Sequence, residues 1–279
     1  MSLAAPNSSI ARALLALLAA LVLAAAADAQ PRPPCNPCAG VRLAAPPDAA
    51  FAEALAAGPA VDAETMRLYV HWTTTLDDPA APSRVPADFA RVAAAGGTPW
   101  LTLVLQTPTP VLEHLDALEV ELEQIAAIAA AAGPRAHLQL AWRPSNAADA
   151  AIDAEQLAFV IKRAAVAITG RQSDARVIVG PLPADVALLG TLYDEDIAAY
   201  ADGLALAPSA DAAITAAIQT VATRDPGKPV LLDALAWPGD PLRVLPRAAE
   251  MAVAGVGVVF FDLPAARAAD ATALAPFKL

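Results

Sequence analysis

A chain of 279 residues with 57% hydrophobic and 17% charged side chains has ample apolar surface for one large core, which argues against wholesale disorder. Its 29 acidic against 18 basic residues give a net charge of −11, and no basic stripe interrupts that excess, so nucleic acid is not expected as a partner. The abundance of Ala and Pro beside few Lys reads as coding bias, so alanine at a given position carries little information.

The N-terminus reads as an export signal over residues 1–29. Arg12 precedes the apolar run Ala13 to Ala27, and Ala27-Asp28-Ala29 gives the small-x-small pattern of a cleavage site before Gln30. The run is too short and Ala-rich for a full membrane span, and no second one follows. A periplasmic or secreted protein without a membrane anchor is therefore expected. Residues 30–39 form a Pro/Cys-rich leader, PPCNPCAG, in which Cys35 and Cys38 are expected to pair as a local disulfide. Zinc would need two further ligands, and His71, His114 and His137 are not spaced to supply them, so no metal site is expected.

From residue 40 to 279, short apolar runs alternate with helical patterns. The strands are expected at Gly40 to Leu43, Met66 to Trp72, Trp100 to Gln106, His137 to Trp142, Arg176 to Val179, Gly203 to Ala207, Lys228 to Pro238 and Val256 to Asp262. Helices are expected at Asp48 to Ala57, Ala87 to Ala95, Val111 to Ala132, Asp153 to Thr169, Leu188 to Tyr200, Asp211 to Thr223 and Pro241 to Val253. Gly-Pro and Gly-Gly pairs punctuate them. Eight strands alternating with helices predict an α/β fold, a single-domain (β/α)8 barrel. An open doubly wound sheet is the alternative, but the G-x-G-x-x-G that would follow its first strand is missing, and no cofactor is expected.

In such a barrel the functional groups gather at the C-terminal ends of the strands. Those ends offer Arg67, His71 and Trp72, then Gln106, then Trp142, Arg143 and Asn146, then Asp233 and Trp237, and finally Asp262. Rings beside amides and guanidinium groups suit sugar faces and hydroxyls, so Arg67, Trp72, Gln106, Trp142, Arg143, Asn146 and Trp237 are the expected substrate-binding residues. Each also has a plainer reading. The three tryptophans can close the top of the barrel, Arg67 can pair with Asp233 or Asp262, and Asn146 can cap a helix. His71 and His137 read as hydrogen-bonded structural groups, and Glu119, Glu121 and Glu123 as a solvated face.

Two stretches resemble the retaining glycoside hydrolases of clan A. KPVLLDALAWP is similar to their seventh strand, P-V-W-x-T-E-F-G-W-P, with Pro229, Val230, Trp237 and Pro238 matching. LAWRPSN is similar to their fourth-strand pattern I-W-N-E-P-N, with Trp142 and Asn146 matching. Arg67 stands for the arginine of strand two, and Leu188 to Ala207 is similar to the approach to strand six. The resemblance implies a catalytic pair at positions 234 and 144, which are Ala234 and Pro144 here, and it puts Arg143 where the family has Asn. Retaining hydrolysis needs two carboxyl groups about 5–5.5 Å apart, and neither residue supplies one.

The expected function is therefore a non-catalytic barrel that binds carbohydrate or a cell-envelope partner. The alternative is an active glycosidase with relocated carboxylates, Asp233 with Asp262 or Asp149. A structural envelope protein without a ligand is the third reading. If position 234 faces the barrel axis, alternation turns Asp233 toward the helices, unless a bulge intervenes.

Overall fold

Runs rich in Val, Leu and Ile, too short for helices and bounded by turn residues, become parallel strands buried on both faces. The computed structural model describes residues 38–57, 68–76, 78, 80–133, 136–146, 153–172 and 174–274. All of them fall in the unit Pro34–Leu279, and the unit Met1–Pro33 lies outside them. The expected export signal, Cys35 and with it the Cys35–Cys38 disulfide, Arg67 and Asp149 also lie outside the described residues.

The strands are β1 (Cys38–Arg42), β2 (Tyr69–Thr75), β3 (Thr98–Leu105), β4 (His137–Trp142), β5 (Arg176–Leu182), β6 (Gly203–Leu206), β7 (Val230–Ala236) and β8 (Val256–Asp262). They pair in sequence order, all parallel, and β1 pairs with β8 to close the barrel. Between and after them run α1 (Ala49–Ala57), α2 (Ala81–Ala94), α3 (Leu115–Ala132), α4 (Ala154–Arg171), α5 (Val186–Asp194), α6 (Asp211–Arg224), α7 (Val244–Val253) and the short α8 (Ala271–Leu274). The molecule is thus a (β/α)8 barrel, as the alternation predicts.

Boundaries differ where proline misleads. The prolines before Ala87 read as loop, yet α2 starts at Ala81 and takes in Pro82 and Pro86. Pro82 sits in the first turn, where its missing N–H has no helical partner to lose. β1 starts at Cys38 and so takes the end of the expected leader. Asp153 and Asp185 cap α4 and α5, each accepting two backbone N–H groups with its side chain.

Two apolar clusters share the strands. The larger lies between strands and helices, and the smaller fills the barrel with Tyr69, Trp100, Ile178, Ala205, Leu231, Val258 and Phe260. Tyr69 and Phe260 meet Trp100 edge-on, with ring centroids 5.7 and 5.2 Å away. Above this plug the axis-facing residues turn polar.

One irregularity decides which β7 residues face the axis. The β7–β8 register shifts between Leu232 and Leu235, and Ala234 inside that shift has φ +62°. Leu231 and Asp233 point to the axis, whereas Leu232 and Leu235 pack in the outer cluster. An L-residue held at positive φ costs about 1–2 kcal/mol that glycine avoids, less glycine's own entropic cost of roughly 0.5–1 kcal/mol. Ala234→Gly should therefore gain about 0.5–1 kcal/mol in a urea titration. A loss would show that the Ala234 methyl group packs favourably enough to outweigh its strain.

Candidate functional site

Alternation along β1, β2, β3, β4, β7 and β8 sends Arg42, His71, Thr102, Gln139, Asp233 and Asp262 to the C-terminal end of the barrel axis. Buried polar groups need partners, and these find one another. Asp233 is the hub, with its side chain 2% exposed. Gln139 donates Nε2 to its Oδ2 at 3.0 Å, and Trp100 Nε1 donates to Gln139 Oε1 at 3.1 Å, which fixes the amide orientation. His71 Nδ1 lies 3.3 Å from Asp233 Oδ1, and His71 Nε2 lies 2.5 Å from Thr102 Oγ1. A carboxylate can only accept, so the proton between this pair sits on His71 Nδ1, and at Nε2 the bond with Thr102 Oγ1 runs in the direction the imidazole tautomer sets.

Arg42 covers this layer. Its Nε is 3.9 Å from Asp233 Oδ1 and its Nη1 is 3.5 Å from Asp262 Oδ1, with the arginine side chain 29% and Asp262 51% exposed. The guanidinium therefore joins a sealed carboxylate below to an open one above. Burial pushes Asp233 up, but the hydrogen bond and charge of His71, the charge of Arg42 and the Gln139 hydrogen bond outweigh it and hold its pKa below the usual value. Burial pushes Asp262 up, reinforced by the charge of Asp233 and opposed by Arg42 and His71, and its pKa ends above the usual value.

Asp233 thus faces the axis, not the helices. Alternation with position 234 inward turns Asp233 outward only where no bulge intervenes, and the strand is irregular at Ala234. Ala234 and Pro144 carry no carboxyl group, and Pro144 is half-buried in the loop that follows β4.

The expected ring platform is elsewhere. Trp72 is fully buried between β2 and α2, its ring edge-on to Phe89 at 5.3 Å, and Trp142 is buried in the same outer layer with Nε1 donating to Thr107 O at 3.0 Å. Trp237 is half-buried against that layer too. Trp72 and Trp142 therefore cannot stack on a ligand at the axis; each follows an inward residue by an odd step and so faces the helices.

Gln106 and Arg143 lie on the rim, where their backbone N–H groups are bonded to Glu121 Oε1 at 2.7 Å and Leu105 O at 2.8 Å. Asn146 accepts from Thr109 N at 2.9 Å and donates to Thr109 O at 2.6 Å, so it braces the loop after β3 and caps no helix. Glu121, expected on a solvated face, also receives Thr107 N and the Thr107 hydroxyl and ties that loop to α3. His137 stacks on Trp100 at the opposite end of the barrel, centroids 4.9 Å apart, which is a structural placement.

Sequence reasoning overlooked Arg42, Thr102 and Gln139. The signal was present: each is a polar residue inside an otherwise apolar strand, and such a residue on a barrel strand belongs on the axis with a partner. Among the described residues no three His, Cys, Asp or Glu side chains converge as a metal would require.

The chain matches no protein-family model and no curated protein. Among solved structures it is similar to a putative fructose-1,6-biphosphate aldolase from Coccidioides immitis, at 11% identity and a TM-score of 0.50 over 86% of this chain and 88% of that one. It is also similar to a glucosidase from Croceicoccus marinus, at 12% identity and a TM-score of 0.50 over 82% of this chain and 59% of that one. At these identities the likeness concerns architecture, and it shows an eight-stranded parallel barrel of the kind shared by enzymes of different chemistry.

Proposed function

We propose that this is an exported, non-hydrolytic barrel that binds a small, uncharged, hydroxyl-rich ligand, of the carbohydrate class, at the mouth formed by Arg42 and Asp262. One observation carries the reading: Asp233 is sealed under Arg42 with Gln139 and His71 against its oxygens, leaving Asp262 as the accessible carboxyl group of the pair. Glycoside hydrolysis needs two carboxyl groups that both reach the scissile bond. Arg42 and Asp262 side by side offer donors and acceptors together, which suits hydroxyls. The positive charge of Arg42 is balanced by Asp233, so an anion gains little there.

A second reading draws support from the opposite pKa directions of Asp233 and Asp262, a pattern seen where one carboxyl group acts as acid and the other as base. Both approach one guanidinium group, within the ~10 Å that an inverting pair allows. The burial of Asp233 weighs against it, because a nucleophile or base must touch substrate or water.

The discriminating measurement is turnover of 4-nitrophenyl glycosides by the purified protein. No release above the buffer rate is expected across the common pyranosides. Hydrolysis that disappears in both Asp233→Asn and Asp262→Asn would establish the second reading instead.

A further inference from the structure

Beside the mouth, on the outer side of the strand ends, a groove of about 560 Å³ runs between β7, β8 and α7, walled by Leu235, Ala236, Pro238, Pro246 and Phe261. Its size is in the range of a small-molecule site, and its lining is apolar apart from Arg243, Arg247 and Glu250. Ala236 is the cross-strand partner of Asp262 on the last rung of the β7–β8 ladder, and it also lines the groove. Groove and mouth therefore share an edge.

Two arginines border the groove. Arg247 is held by Asp211 at 3.2 Å and Glu250 at 2.7 Å. Arg243 is exposed and, among the described residues, its guanidinium has no ion-pair partner. A planar guanidinium over an apolar trough bordered by two prolines suits the face of an aromatic ring, through cation–π attraction and stacking.

We infer that the groove is the aryl-binding half of a composite site whose polar half is the Arg42–Asp262 mouth, so that the ligand is amphipathic, a hydroxyl-rich head joined to one aromatic ring. The inference rests on the proposed function for the head and on the groove alone for the ring. A ligand so arranged places its hydroxyls between Arg42 and Asp262 and passes over Ala236 to lay its ring against Leu235 and Pro246 beside Arg243. The ring's burial supplies affinity that the small polar mouth cannot.

The test is calorimetric titration of the full chain with paired methyl and 4-nitrophenyl glycosides of the common pyranoses, and with 4-nitrophenol alone. For any head that binds, the aryl glycoside should bind about tenfold tighter or more than the methyl glycoside. Ala236→Trp, which fills the groove, should bring the two affinities of each pair together, and Arg243→Ala should reduce the gain. Thermal melts of both variants establish that they are folded. Equal affinities for the paired glycosides, or a gain that survives in a folded Ala236→Trp, would overturn the aryl groove and leave the polyol mouth standing. Binding of 4-nitrophenol that Ala236→Trp abolishes, with no glycoside bound, would support the groove and sink the polyol reading. No binding by any probe overturns both.

Discussion

Asp233→Ala is expected to lower stability by about 3–5 kcal/mol at pH 7, the cost of stranding buried partners of a removed charge. The substitution leaves Gln139 Nε2 without an acceptor in a sealed layer and removes the carboxylate that faces His71 Nδ1 and Arg42. Asp233→Asn keeps an acceptor oxygen but not the charge, and should fall between the wild type and alanine. The pH dependence separates charge from packing. The folded pKa of Asp233 lies below the usual aspartate value, so its carboxylate contributes stability that is present above the unfolded value and is lost as pH falls through the folded one. Urea titrations of wild type and Asp233→Ala should therefore converge as pH drops from 7 to below about 4. A gap that stays constant across that range would mean that the aspartate acts through packing alone.

The same residue marks the limit of what the sequence discloses. The barrel was legible because buried parallel strands are written as apolar runs with helical patterns between them, and KPVLLDALAWP, HLQLAW and GVVFFD each became a strand where expected. Facing was harder, since in a strand buried on both sides either neighbour of an apolar residue can look inward. A better guide than the tryptophans was the polarity of single positions. His71, Gln139 and Asp233 have no tolerable place in the apolar layer under the helices, so they had to point to the axis, and Trp72 then had to point away. The β7 bulge was not legible. Nothing in LLDALA announces that Ala234 takes a positive φ, a conformation in which glycine or asparagine would be expected. Matching Trp237-Pro238 to a family pattern without a gap turns Asp233 outward unless a bulge intervenes, and the irregularity at Ala234 is that exception. Glu121 escaped for a related reason. A glutamate on an amphipathic helix looks solvated until the loop it caps is folded beside it.

Gly180→Ala should be among the most damaging single substitutions, at about 3–6 kcal/mol from backbone strain and overlap together. Gly180 has φ +133°, in a region that L-residues rarely enter, and a Cβ there would lie 2.2 Å from the carbonyl oxygen of Ala205. That oxygen belongs to β6, whose neighbours Leu204 and Leu206 are paired with both β5 and β7, so the clash cannot be relieved by turning a side chain. The register of β5 on β6 shifts between Val179 and Leu182, and Gly180 is the position that lets the strands meet again at Leu182 and Leu206. The effect should reach the site, because Ile178 on the same strand is the cross-strand partner of Gln139, and Gln139 fixes Asp233. A melting temperature lower by roughly 6–24 °C is expected, at about 2–4 °C per kcal/mol for a chain of this size. Gly190→Ala is the matched control. It lies within α5 with no atom near the added Cβ, so the usual helical preference for alanine should raise stability by roughly 0.5–1 kcal/mol. Equal behaviour of the two variants would mean that β5 and β6 can separate without cost, and the rigid support assigned to Gln139 would have to be abandoned.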